Sequence, residues 1–315
     1  MDIRAEMQLC LPNRQSAGKP SLSVKEVCSY CDIMLIQPTL LNDKAQKLQS
    51  KVFVCGPGPT SGRVDIRNLA RKELEKMQNV SVVYGEEIEN EYSYSRKGMD
   101  LQTLEARFAH DVDFTLLILE SAGSIAELGT FTQLQHIQDR LVVLVPNNFF
   151  RAESYIARGP LSLLSKRNPQ NVIYFDSSRQ FEMLARVLYP LTFYKYAHYV
   201  LGPEYLVKTR ISRMKQKDIV PYNEYIKDIR NSFHKAITLI GILVGDHPSY
   251  SELLVLTGLG PTQLNASLRE LFLEKKVAKV SASKYHSVDG FNDAILKPFS
   301  TTAISLARAK LLASA

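Results

Sequence analysis

Between residues 51 and 190, short continuous apolar runs alternate with segments of helical apolar spacing. Val52-Phe53-Val54-Cys55 ends at Gly56, and Val80–Tyr84, Phe114–Leu119, Leu141–Val145 and Val172–Phe175 follow. Between them lie 64–77, 101–109 and 125–138, where apolar residues recur every three to four positions. A strand that is apolar at every position is covered on both faces, an arrangement typical of a parallel sheet flanked by helices. The predicted fold class is therefore α/β, a doubly wound parallel sheet over 51–190. Ligands of such sheets bind beyond the carboxyl ends of the strands. The loops after Cys55, Tyr84, Leu119 and Val145 are the places for a site.

The rest of the chain reads differently. Residues 1–50 form a mixed extension packed on the body, with helical spacing at 22–36 and 42–50. Residues 191–230 read as a connector, rich in tyrosine and then basic through Arg213 and Lys215. Residues 231–300 carry the pattern of a winged helix. Phe233, Ile237, Ile240 and Val244 make one helical stripe. Ser249 and Glu252 form a capping box, Gly258 suits a left-handed C-cap and Pro261 suits the first turn of the next helix. Leu264, Leu268 and Leu271 form its buried stripe, and two short strands flank 281–284. Residues 301–315 are read as a tail.

Charge follows the same division. Lys/Arg against Asp/Glu counts are 6 and 5 over 1–50, 16 and 17 over 51–190, and 17 and 10 over 191–315. The excess sits in the last third, which points to a nucleic-acid-facing segment. Gln263 and Arg269 on the outward face of the third helix, Lys279 and Lys284 on the wing, and Arg213 and Lys215 in the connector are the candidate contacts. A winged helix used only for protein contact is the plain alternative.

Other classes are excluded or disfavoured. No apolar run approaches 18 residues, so no membrane span is expected. The first residues lack the apolar stretch of an export signal, so the expected compartment is the cytoplasm. Four cysteines make no disulfide framework. Cys28-x-x-Cys31 is half a zinc site without its second half, and no metal is expected.

The chemistry concentrates after the third strand, in Glu120-Ser-Ala-Gly-Ser-Ile-Ala-Glu-Leu-Gly-Thr-Phe131. Small residues at Gly123 and Ser124 let a ligand approach the backbone, and the free N–H groups of a helix start suit polar or anionic groups. Glu127 is expected in the first turn, where the helix dipole favours a carboxylate. Such a carboxylate suits attack on an oxocarbenium-like sugar carbon. Ser124-x-x-Glu127 is equally a capping box, which needs no chemistry. The loop Gly56-Pro-Gly58-Pro-Thr-Ser-Gly62 permits close backbone approach but lacks the endings of a Walker loop or a dinucleotide fingerprint. Glu86, with Glu87, is placed to reach sugar hydroxyls. Tyr84 suits stacking on a base or a place in the core. Asn147, with Asn148, is placed to hydrogen-bond a ligand or to turn the chain.

The strand ending Cys55-Gly56, with Glu120-Ser121-x-Gly-Ser-x-x-Glu127-Leu-Gly129, resembles the nucleoside 2-deoxyribosyltransferase-like superfamily. Together with Gly159-Pro160-Leu-Ser-Leu-Leu-Ser-Lys166 it more closely resembles the retron-associated effectors of bacterial anti-phage defence, in which such a domain precedes a winged helix. The likeness covers about residues 51–300 and is strong in short motifs. It implies that Glu127 is the nucleophile and that other acids and a tyrosine hold base and sugar. Glu120-Ser121 stands near where the small nucleoside enzymes have an aspartate, a departure from simple nucleoside exchange. Ala122 stands where the effectors have proline. The effector resemblance implies N-glycosidic cleavage of a nucleotide, with NAD as substrate rather than cofactor. It also implies restraint in a complex with a reverse transcriptase and its RNA-linked DNA, and a homo-oligomeric assembly is expected.

The reading is an N-glycosidase effector, with Gly56, Gly58, Glu86, Glu120, Ser121, Gly123, Ser124 and Asn147 around the substrate. Its rival is a DNA-binding regulator whose α/β domain senses a nucleotide without cleaving it.

Overall fold

The computed structural model describes residues 37–59, 64–88, 100–147, 153–175, 180–202, 216–281, 283–288 and 290–314. It divides into two compact units, one of residues 46–226 and the other joining the chain up to Ala45 to the residues from Lys227 onward.

The first unit holds β1 (Ser50–Cys55), α1 (Ile66–Glu75), β2 (Val80–Tyr84), α2 (Leu101–Asp111), β3 (Phe114–Ile118), α3 (Ala122–Gln133), β4 (Leu141–Pro146), β5 (Val172–Phe175) and α4 (Gln180–Leu201). The five strands are parallel in the order β2-β1-β3-β4-β5. β3 is buried along its whole length, as its unbroken apolar run requires. Phe53 of β1 meets Phe108 and Phe131 edge-to-face, with centroids 5.2 and 6.4 Å away. The chain steps from β1 outward to β2, then returns to the other side of β1 with β3. The strand order therefore reverses between β1 and β3, and a crevice opens at their carboxyl ends.

Three sequence boundaries shift. Helix α3 begins three residues before Ile125 and ends at Gln133, with a separate turn at Gln135–Gln138. The segment read as the start of a connector continues α4 to Leu201, and Leu191, Phe193, Tyr194 and Tyr196 are buried. Tyr194 and Tyr196 are core, Tyr199 is half-buried, and the basic residues 208–215 lie outside the described residues. Tyr194 stacks on Phe114 at 5.9 Å. Lys195 is also buried, and its ammonium donates to the carbonyls of Gln46 (2.7 Å), Leu48 (2.6 Å) and Gln78 (3.0 Å). A buried cation is tolerated there because three backbone acceptors replace its water.

The second unit takes α5 (Gln216–Gly245) from Lys227 on, then α6 (Tyr250–Thr257), α7 (Pro261–Leu273), the antiparallel pair β6 (Val277–Lys279) and β7 (Tyr285–Ser287), and α8 (Thr301–Ser314). Phe233, Ile237, Ile240 and Val244 are buried as a stripe. Ser249 accepts from the Glu252 N–H while Glu252 accepts from the Ser249 N–H, the expected capping box. Gly258 closes α6 at φ 62°, and Pro261 opens α7. Ser249 pairs with Lys284, adding a bridge beside the hairpin. The expected tail is instead helix α8, which buries Ile304 and Leu311. Leu41 bridges Phe299, and the Asn42 amide donates to the Lys297 carbonyl at 2.7 Å. These residues of the N-terminal segment therefore belong to the second unit. The segment 22–36 lies outside the described residues.

Candidate active site

Helix α3 starts one turn earlier than the sequence suggests, and this changes the meaning of Glu127. The N-cap is Ser121, whose Oγ accepts from the Ser124 N–H (3.1 Å), while Ser124 Oγ accepts from the Ser121 N–H (3.0 Å). The capping box is thus Ser121 with Ser124, and Glu127 takes no part in it. Counting from Ala122, Glu127 sits in the second turn, beyond strong reach of the free N–H groups. The expected dipole stabilisation of its carboxylate gives way to the opposite effect. Burial, then the negative charges of Glu105 and Glu86, push its pKa up to about 7, against a smaller opposing pull from Arg67. Its Oε2 is buried with no hydrogen-bond partner among the described residues.

Around this carboxyl the sheet brings together residues far apart in sequence. Glu105 projects from α2, and its carboxylate lies 3.4 Å from where a Cβ on Gly85 would stand. Burial, then the Glu86 charge, raises its pKa as well. Arg67 in α1 has a side chain only 10% exposed. Its Nη1 donates to both oxygens of Glu86 (2.7 and 3.0 Å) and to the Gly56 carbonyl (3.4 Å). The guanidinium lies over the Tyr84 ring at 4.4 Å, and Arg71 lies over the same ring at 4.6 Å. Arg71 in turn binds Glu87 at 3.0 Å. Burial opposes ionisation of Glu86, but the Arg67 hydrogen bonds and charge outweigh it and hold its carboxyl below the usual range. The Cys55 thiol at the end of β1 is buried, and burial with the Glu127 and Glu105 charges raises its pKa well above normal.

A cavity of about 180 Å³ opens beside this cluster. Pro57, Gly58, Asp65, Arg67, Ile118, Glu120 and Ser121 are among its lining residues. Gly56 adopts φ 146°, and a Cβ there would meet the Ile118 Cβ at 2.9 Å. Only glycine lets β1 turn away this close to β3.

The expected site residues therefore separate. Gly58, Glu120 and Ser121 line the cavity, whereas Gly56, which lies against the lining residue Ile118, and Glu127 are not among its lining residues. Gly123 is exposed at the start of α3, and Ser124 is buried in the cap. Glu86 joins the cluster through Arg67. Asn147 is half-buried after β4 and is not among the cavity-lining residues, and Asn148 and Gly62 lie outside the described residues. Sequence reasoning missed Arg67 and Glu105. Both stand on the buried side of an amphipathic helix, Arg67 in line with Ala70 and Leu74, Glu105 beside Leu104 and Phe108. A charge at a core-facing helical position was the available signal.

In the second unit Arg269, Lys279 and Lys284 are exposed. Lys279 lies 5.8 Å over the Tyr285 ring. Gln263 Oε1 accepts from the Gly260 N–H at 3.0 Å, so it serves first as a cap for α7. Arg213, Lys215 and Cys28-x-x-Cys31 lie outside the described residues. Among the described residues no group of His, Cys, Asp and Glu is arranged to hold a metal ion, and no helix is long and apolar enough to cross a membrane.

The model of the STM3845 retron effector protein family matches residues 63–285, a span that includes Arg67, Glu105 and Glu127. The chain belongs to that family. Two curated relatives from Escherichia coli agree with this retron assignment. The "Retron Ec86 putative ribosyltransferase/DNA-binding protein" is 28% identical over 140 residues, 44% of this chain and 45% of that protein. Its Ec73 counterpart, named in the same terms, is 22% identical over 206 residues, 61% of this chain and 62% of that protein. The matches thus cover less than two thirds of either relative. At the coarse level their names supply, the retron effector is similar to ribosyl-transferring enzymes.

Proposed function

We propose that this retron effector is an N-glycosidase that cleaves the ribosyl–base bond of a nucleotide, with NAD as the leading substrate. The observation that carries the reading is Glu127, a half-buried carboxyl clustered with Glu105, Glu86 and Arg67 that neither caps its helix nor finds a hydrogen-bond partner among the described residues. A group of this kind costs stability and is kept where it has a chemical task.

In the ionised form a Glu127 oxygen attacks C1′. The C1′–N bond breaks, its electron pair passes to the base nitrogen, and nicotinamide leaves without needing a proton. Water then attacks C1′, releases ADP-ribose and restores the carboxylate, with its proton passing to solvent. In this proposal the activity is restrained by a reverse transcriptase with its RNA-linked DNA and released when phage infects. The helices α5–α7 with the β6–β7 hairpin fit a winged helix, whose Arg269, Lys279 and Lys284 would dock on nucleic acid.

The second reading, a nucleotide-sensing DNA-binding regulator, is favoured by that same helix–hairpin unit and by the DNA-binding half of the relatives' names. One experiment separates them. The protein expressed without its partner should lower cellular NAD and release nicotinamide, and the complete retron should suppress both. A fall in another nucleotide pool alone moves the substrate and keeps the glycosidase. Unchanged pools in phage-triggered, growth-arrested cells leave the regulator.

A further inference from the structure

Within the cavity, one cation is only half used. Arg67 Nη1 makes all three of the hydrogen bonds described above. Its Nη2 makes none among the described residues, although the side chain is nine-tenths buried. That nitrogen stands 3.7 Å from where a Cβ on Gly58 would lie, facing a glycine that leaves its approach open. The guanidinium cannot swing away, because Tyr84 stacks on its face and Glu86 and the Gly56 carbonyl hold Nη1.

Two helices also begin at this cavity: Ile66, the first residue of α1, and Ser121, the N-cap of α3, are among its lining residues. Their first N–H groups have no intrahelical acceptor and favour negative charge. In α1 the Ile66 N–H donates to the Val64 carbonyl at 3.0 Å and the Asp65 cap takes the Asn68 N–H at 2.9 Å, which leaves the Arg67 N–H of the first turn for a ligand. Asp65 and Glu120 also line the cavity and repel an anion, but the Asp65 carboxylate is engaged by the cap and Glu120 is exposed, where solvent and salt screen its charge. The Glu86 carboxylate is 65% exposed and is itself an anion held by Arg67.

We propose that Arg67 selects a phosphate-bearing riboside over the bare nucleoside, its Nη2 and the α1 N-terminus binding a phosphoryl group while Glu86 competes for the guanidinium. The proposal rests on the reading that this cavity takes a riboside, and it adds the residue that sets the substrate class. Glu86 then acts as a resident counter-ion that a phosphate displaces or outbids.

The test is calorimetric titration of the full-length chain carrying Glu127→Gln with the four ribonucleosides and their 5′-monophosphates. In at least one pair the monophosphate should bind about 30-fold tighter, the worth of a charge-assisted hydrogen bond or two. Arg67→Met should reduce that ratio to about 3 or less. Gly58→Ala places a methyl at ordinary contact distance from Nη2 and should reduce the ratio in the same direction, which decides the matter if the Arg67 variant does not fold. Glu86→Gln should tighten monophosphate binding several-fold. No monophosphate preference in any pair, or a preference that survives both Arg67→Met and Gly58→Ala, overturns the proposal. Weaker monophosphate binding in Glu86→Gln overturns the competing role of Glu86. Cleavage by the unmodified chain is measured beside these titrations. A phosphate preference without cleavage supports the Arg67 site and removes the glycosidase, and cleavage without preference does the reverse.

Discussion

Replacing Glu127 by Gln should make this protein more stable and inactive at once. The pKa of Glu127 stands at about 7 against an ordinary 4.5. The folded state therefore holds the proton more tightly than the unfolded state does. As pH rises from about 4.5 through 7, the unfolded chain gives up this proton first, and the fold loses stability across that window. At roughly 1.4 kcal/mol per pH unit, the full effect would be about 3.5 kcal/mol. The carboxyl is only half-buried, so solvent screening leaves about 1–1.5 kcal/mol. Gln keeps the shape and never ionises. At pH 8 the variant should melt about 2–5 °C higher than the unmodified chain, and at pH 5 the two should coincide. The Ser121–Ser124 cap is untouched, so no helix-capping loss offsets the gain. Glycosidic cleavage should fall on the order of 10³-fold or more. Paired melting curves at pH 5 and 8, with product analysis by mass spectrometry, check both halves. Equal melting temperatures at pH 8, or a less stable variant, would refute the view that the fold holds this carboxyl against its own stability. A stable variant with normal turnover would remove Glu127 from the chemistry.

Other perturbations have distinct signatures. As a nucleophile Glu127 must be ionised, so kcat/KM of the unmodified chain should rise through a midpoint near 7, read from a pH–rate profile. Gly56→Ala must place a Cβ 2.9 Å from Ile118 at a left-handed φ, and should cost at least ~2 kcal/mol by denaturant titration. Lys195→Met leaves the Gln46, Leu48 and Gln78 carbonyls without their shared donor, and should destabilise the chain by about 3 kcal/mol in the same assay. Alanine at Arg269, Lys279 and Lys284 together should weaken nucleic-acid association and flatten its dependence on salt by about 2–3 in log–log slope, while cleavage by the isolated protein persists. Unchanged association at low and physiological salt would take the docking role from these residues.

The sequence by itself determined the α/β sheet, because strands such as Phe114–Ile118 are apolar at every position and tolerate no exposed face. It determined the capping box at Ser249–Glu252, the left-handed Gly258 and the stripe on α7, since these rest on contacts within a few residues. It also singled out Gly56 and Glu127. The tertiary structure decided what Glu127 is. Ser124 was available as a cap for a helix beginning at Ile125, and only the observed start at Ala122 gives the cap to Ser121 and leaves the carboxyl unbonded. Arg67 comes from the β1–β2 crossover and Glu86 and Glu105 from the β2–β3 crossover, and they meet only because the strand order places β2 and β3 on either side of β1. The rise in the Glu127 pKa depends on that convergence and on burial, and local spacing carries neither. Likewise the tyrosines of 194–196 read as a connector until α4 is seen to continue, because a helix buried nearly all round has no amphipathic period to announce it.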